Sequence, residues 1–225
     1  MKERPILFSA PMVRAILDGT KTQTRRVVKP QPVLRRDLSV SDNELAWQLS
    51  PGSFIICPNT RAPEDFEKRS PYGQPGGRLW VRETFCPIYP QDPTYNGGEP
   101  IEYDYAATYK HGDRLGDSLG IKKVWKPSIH MPRAACRIVL EVTGVRVERL
   151  QDISEADAIA EGIERSGECN WCDYLDYGYN DFTNARYSYR TLWESINGAG
   201  SWNANPWVWV IEFKRVDAGA MKQAA

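Results

Sequence analysis

The chain has 225 residues, with 29 lysines and arginines against 29 aspartates and glutamates, 41% hydrophobic residues and 26% charged ones. This is an ordinary globular composition, long enough to bury a core without a metal or disulfide staple. Zero formal net charge excludes a protein that coats phosphate backbone non-specifically, because that mode needs many cations to release counterions.

No apolar run reaches the ~18 residues that span a bilayer, and Met1-Lys2-Glu3-Arg4-Pro5 lacks the apolar stretch of a signal peptide. The expected location is the cytoplasm, with no membrane partner. The five cysteines, Cys57, Cys86, Cys136, Cys169 and Cys172, are odd in number and irregularly spaced, which fits reduced thiols better than a disulfide framework. Cys169 and Cys172 form the one C-x-x-C, and a zinc site would need a second such pair or help from His111 and His130. Plain loop cysteines are the simpler reading, so neither a metal nor a cofactor is expected.

In chain order, Pro5 to Phe8 reads as a first strand. Ser9 then caps a helix with Pro11 in its first turn and Gly19 beyond its end, whose apolar positions Met12, Val13, Ile16 and Leu17 recur at helical spacing. A basic run follows, Lys21, Arg25, Arg26, Lys29, Arg35 and Arg36, with no acidic residue from 19 to 36. Residues 37–76 show little periodicity and read as an insertion holding one short strand at Ser53 to Cys57. Gly77 restarts the core, with a strand over Arg78 to Phe85. A second insertion, 87–128, contains one strand near Tyr103 to Thr108. Ala135 to Val147 is the longest strand, β-branched and interrupted by Gly144. Ser154-Glu155-Ala156-Asp157 starts a helix that ends before Gly162. Residues 181 to 197 form a last helix with Tyr187, Leu192, Trp193 and Ile196 on its apolar side, and Trp207 to Phe213 is the closing strand. Residues 218–225 are a frayed tail.

Strands separated by long loops, with helices between them but not in regular alternation, give an α+β fold and not a doubly wound sheet. A small curved sheet or barrel is the natural way to close it, as one domain over residues 1–217. No G-x-G-x-x-G phosphate loop is present, so nucleotide-cofactor chemistry has no support.

Gly19-x-Lys21 directly after a helix, with Thr24 and Arg26 on the outgoing chain, gathers an amine, a hydroxyl and a guanidinium in one turn and strand start. Alternation puts Thr24 and Arg26 on one side, where the long Lys21 stem can join them, and turns Arg25 away toward an ion pair or a phosphate. Trp80 offers an aromatic face for stacking a base, and His130 sits in a Pro-flanked loop.

Gly19-x-Lys21-x-x-x-x-Arg26 resembles the signature of the ASCH domain, a relative of the PUA-like barrels that handle RNA and modified bases. Phe8-Ser9 and the segment Gly77 to Glu83 also resemble that family. His130-Met131-Pro132-Arg133, Leu150 to Ser154 and Asn205 to Trp209 are similar to its longer phage and prophage members. The resemblance implies a PUA-like barrel with flanking helices and two long loop insertions, and host cytoplasm if the chain is phage-encoded. One bacterial branch hydrolyses the acetyl amide of N4-acetylcytidine with a Lys, a Thr three residues later and a downstream Glu. The resemblance therefore implies Lys21, Thr24 and Glu83 as catalytic residues, with Ser9, Gly19, Arg26 and Trp80 lining the substrate site. Arg25, Arg35, Arg36 and His130 are candidate nucleic-acid contacts.

Two functional classes follow: an amidohydrolase on an N4-acylated cytidine, or a non-catalytic module that binds RNA or a modified base through the same residues. A metal-assisted ribonuclease ranks lower, because no Asp/Glu cluster for Mg²⁺ is evident, as does a phage protein-interaction module built on the aromatic insertions.

Overall fold

In a computed structural model of the chain, residues 3–35, 44–50, 53–58, 70–92, 94–108, 125–168, 170–175 and 181–216 are described. In chain order the elements are β1 (Glu3–Leu7), α1 (Ala10–Leu17), β2 (Gln23–Val27), β3 (Val33–Arg35), β4 (Glu44–Ser50), β5 (Ser53–Pro58), β6 (Arg78–Arg82), β7 (Phe85–Ile88) and β8 (Glu102–Tyr105). They continue with β9 (Val139–Arg149), α2 (Glu155–Ala160), β10 (Arg165–Ser166), β11 (Asn170–Cys172), β12 (Asp181–Phe182), α3 (Ala185–Asn197) and β13 (Trp207–Val216), joined by short 3-10 turns. The fold is α+β. Five strands hydrogen-bond in the order β1-β6-β9-β13-β2, and among the described residues no pairing closes this sheet into a barrel.

The chain packs as two compact units. The first comprises residues 1–19, 77–141 and 215–225. In it β1 runs parallel to β6, with Ile6 opposite Val81, and β6 runs antiparallel to the start of β9, with Leu79 opposite Leu140. Alternation sends Ile6, Leu79, Val81 and Leu140 inward, each almost without exposed surface. Ser9 takes the N-cap position of α1 by backbone alone: its carbonyl accepts from Val13 N–H at 2.9 Å, and its hydroxyl makes no capping bond. Gly19 ends the helix at φ +77°, a conformation that side chains resist. The β7–β8 hairpin belongs to this unit, with Phe85 opposite Tyr105 and Pro87 opposite Tyr103.

The second unit comprises residues 20–76 and 142–214. Here β2 pairs antiparallel with β13, Thr24 opposite Ile211 and Arg26 opposite Trp209. Leu150, Ile153, Ala158, Tyr189, Trp193 and Val210 are central to its apolar core. Asn184 caps α3 by accepting from Arg186 N–H at 2.9 Å, and Gly198 stops the helix at φ +95°. Of the expected apolar side of α3, Trp193 is buried and Leu192 packs against the core, but two positions depart from it. Tyr187 and Ile196 are 58% and 53% exposed, while Ser188, Tyr189, Thr191, Trp193 and Glu194 face inward. Polar residues occupy that face because each finds a partner: Ser188 Oγ donates to the Cys172 carbonyl at 2.7 Å, and Thr191 Oγ1 donates to the Ser188 carbonyl at 2.8 Å while accepting from Tyr174 N–H at 3.1 Å.

The first insertion holds more order than its composition suggests. Beside the expected strand at 53–57, β4 pairs with both β3 and β5, so that Trp47 stands opposite Leu34 and Ile55. Leu45, Trp47 and Leu49 alternate with Ala46 and Gln48, a period-two signal hidden by the surrounding polar sequence. The expected long strand begins only at Val139: Arg133–Ala135 is a 3-10 turn, residues 136–138 are irregular, and the strand proper runs to Arg149. The proposed tail, 218–225, lies outside the described residues.

Candidate functional site

The basic segment after Gly19 enters the second unit through a single bridge, Lys21 against Glu161 at the end of α2, with Thr22 N–H donating to the Ala160 carbonyl at 2.9 Å. From there the period of two decides the side chains. Lys21, Gln23 and Arg25 share one side, and Thr24 and Arg26 take the other.

On the first side, Lys21 Nζ donates to the Glu161 carbonyl at 2.7 Å and to its carboxylate Oε2 at 3.0 Å. Gln23 Nε2 donates to the Asp157 carbonyl at 2.8 Å. The Arg25 guanidinium reaches three carboxylates: Glu161 Oε1 at 3.0 Å, Glu148 Oε1 at 3.1 Å from Nε, and Asp157 Oδ2 at 3.3 Å. Arg146 extends the chain of charges to Glu148 Oε2 and Asp157 Oδ2, each at 3.1 Å, and to Glu212. Asp157 and Glu161 stand four residues apart, one turn of α2 and its C-cap, so both carboxylates project from one face. Arg146 and Glu148 stand two apart on β9 and likewise share a face. The Arg25 guanidinium also lies 5.9 Å from the centre of the Tyr189 ring.

Neither Lys21 nor Arg25 has any exposed side-chain surface. Burial disfavours the charged amine, and it outweighs the attraction of Glu161, so the Lys21 pKa lies below that of an ordinary lysine; Arg26 and Arg25 push the same way. Burial likewise drives the Tyr189 hydroxyl well above the usual tyrosine range. Burial alone would raise Asp157, but Arg146 and Arg25 hold its carboxyl below the usual aspartate value. Arg25 makes the ion pair expected of it, on the side away from Thr24 and Arg26, but it is buried and not turned outward. Its carboxylate partners come from α2 and its C-cap and from β9, two strands away in the same sheet.

The other candidate residues fall elsewhere. Thr24 is buried and Arg26 half-buried. Glu83, in the first unit, is 1% exposed and takes both bonds of a fork from Arg137, Nε to Oε1 at 2.9 Å and Nη2 to Oε2 at 2.8 Å. Arg137 in turn stacks 3.9 Å from the centre of the Tyr105 ring. The carboxylate that Lys21 meets is thus Glu161, while that of Glu83 belongs to Arg137. Trp80 is half-buried with the guanidinium carbons of Arg82 and Arg133 5.4 and 6.0 Å from its ring centre. Ser9 is exposed at the start of α1, and His130 is exposed in a 3-10 turn. The Arg35 side chain, Arg36 and Cys169 lie outside the described residues, whereas Cys172 is a half-buried thiol.

Sequence reasoning missed Glu148, Asp157 and Glu161. The signal was present as two carboxylates four apart on a short helix and an Arg-x-Glu on a strand, but nothing in the sequence says which basic segment they face. Among the described residues no group of three or more His, Cys, Asp or Glu is arranged to hold a metal, and no helix is long and apolar enough to cross a membrane. No family model, curated protein or solved structure matches the chain.

Proposed function

We propose that the chain is an ASCH-type, PUA-like domain that hydrolyses the acyl amide of N4-acetylcytidine or a related N4-acylated cytosine nucleoside, with Lys21, Thr24 and Glu161 as the reacting groups. One observation carries this reading: an amine with its pKa lowered by burial is held 3.0 Å from a carboxylate, three residues before a buried threonine. Glu161 takes the part that the family resemblance implied for Glu83.

This chemistry requires Lys21, which rests on Glu161 on the other side of β2 from Thr24, to swing its amine to the Thr24 hydroxyl and to take that proton in its unprotonated form as Oγ1 attacks the acyl carbonyl carbon. A C–O bond forms, the bond from carbon to N4 breaks, and N4 leaves with a proton relayed from Lys21 and Glu161. Water then cleaves the acyl-threonine, releasing the carboxylic acid and restoring the hydroxyl. Arg26, or a backbone N–H of the turn after Gly19, is the candidate donor to the oxyanion. The test is incubation with N4-acetylcytidine. Cytidine and acetate are the expected products, and Lys21→Ala and Thr24→Val are expected to abolish them. The absence of cytidine at high enzyme concentration would overturn the reading.

A second reading, a non-catalytic RNA or modified-base reader, draws on the complete enclosure of the Lys21 and Arg25 side chains, which suits a rigid base beneath a recognition surface. It expects salt-sensitive RNA binding whose slope falls by about one when Arg26 is replaced by Ala.

A further inference from the structure

Between the β7–β8 hairpin and the turns at 128–135 lies a cavity of about 510 Å³, lined wholly by residues of the first unit. It is within the size range of small-ligand sites. Its aromatic wall follows from strand alternation. Phe85 and Pro87 stand two apart on β7, and Tyr103, the register partner of Pro87, projects from the same face of β8. The Phe85 and Tyr103 rings are tilted by 53° with centroids 6.2 Å apart.

The wall is anchored from behind. Phe85 packs with Met131 and Ala135, and the Arg82 guanidinium donates to the Ile129 carbonyl, which holds the turn carrying His130. Backbone bonds in both directions join Phe85 and Lys126, at 2.7 and 3.2 Å. The cavity therefore has a preformed apolar side, with the cation Lys126 and the imidazole of His130 at its exposed edge. Glu99 supplies its one carboxylate.

Each of these groups selects something different. The aromatic wall takes any planar ring, and Lys126 with His130 favours a ring carrying an anionic group. A carboxylate in the same cavity repels a second anion but accepts from an amino group on the ring edge. We propose that this cavity binds a nucleotide whose base bears an exocyclic amine, with the ring against Tyr103, the phosphate toward Lys126 and His130, and the amine donating to Glu99. The proposal does not rest on the chemistry of Lys21.

The test is equilibrium dialysis of the full chain with CMP, UMP, cytidine and inorganic phosphate. Saturable CMP binding is expected, with each of the other three at least about tenfold weaker, the worth of one charge-assisted contact. Lys126→Met and Tyr103→Leu are each expected to weaken CMP about tenfold, and Lys21→Ala to leave it unchanged. Lys126 is exposed, so its variant carries the test if Tyr103→Leu does not fold. CMP and a cytidine trinucleotide share the recognised chemistry: tighter trinucleotide binding assigns the cavity to one unit of a strand, and equal binding assigns it to the free nucleotide. The proposal is overturned if phosphate binds as well as CMP, if CMP is indifferent to Lys126→Met, or if Lys21→Ala abolishes CMP binding.

Discussion

Glu161 joins the two buried cations of the basic segment: its Oε2 lies 3.0 Å from Lys21 Nζ and its Oε1 lies 3.0 Å from Arg25 Nη1. One carboxylate thereby balances two side chains that have no contact with water. Replacing it with Gln keeps the shape but leaves both cations short of a counter-charge, and the lysine worse off because Arg25 retains Glu148 and Asp157. Glu161→Gln is expected to cost about 3 kcal/mol of stability, the scale of breaking a buried pair, and to suppress cytidine release. Urea unfolding and product chromatography check the two effects separately.

Arg25 and Arg26 are neighbours in sequence with opposite expectations. The planar guanidinium of Arg25 reaches three carboxylates at once, a geometry that a single ammonium does not reproduce. Arg25→Lys is expected to lower stability by about 2 to 4 kcal/mol as bonds to charged groups are lost. For the half-buried Arg26, conversion to Lys is expected to shift stability by less than about 1 kcal/mol. Denaturant midpoints of the two variants give the comparison, and equal losses would contradict it.

Glu83 separates structural from chemical roles. Its fork with Arg137 sits beside Tyr105, whose hydroxyl donates to the Ala135 carbonyl at 2.7 Å, so Glu83→Gln is expected to loosen the first unit. Cytidine released per folded molecule is expected to stay within about threefold of the parent, because no transition-state contact is assigned to Glu83. A loss as deep as that of Lys21→Ala would return Glu83 to the catalytic set.

Acid should weaken the second unit through Asp157. Its folded pKa is depressed below the ordinary 3.8, chiefly by Arg146 and then Arg25 working against burial. The unfolded state therefore binds more protons as pH falls toward and below 3.8, so the contribution of Asp157 is complete above that value and is lost as pH falls through the lower, folded one. Asp157→Asn is expected to flatten this part of the stability-against-pH curve. Urea unfolding from pH 6 downward, parent against variant, measures the difference.

Much of the fold was legible because local physics wrote it into the chain. The helix between Ser9 and Gly19 has a capping position, an apolar stripe and a left-handed stop, and the β-branched run of β9 and the aromatic run of β13 need only their own side chains to favour strand. The exposed side of α3 was misjudged because a serine, a threonine and a glutamate are buried there, and burial of such groups depends on partners far away in sequence.

The sequence by itself determined that a Gly-x-Lys turn opens a strand with alternating polar residues, since helix stops and strand periodicity are local properties. Only the tertiary structure decided that Lys21 and Arg25, not Lys21 and Arg26, share a side, and that the carboxylate they meet is Glu161, 140 residues beyond Lys21. A charge carries no address along the chain. Which carboxylate becomes its partner is set when packing removes both from water, and the cost of leaving either one unpaired then makes the choice.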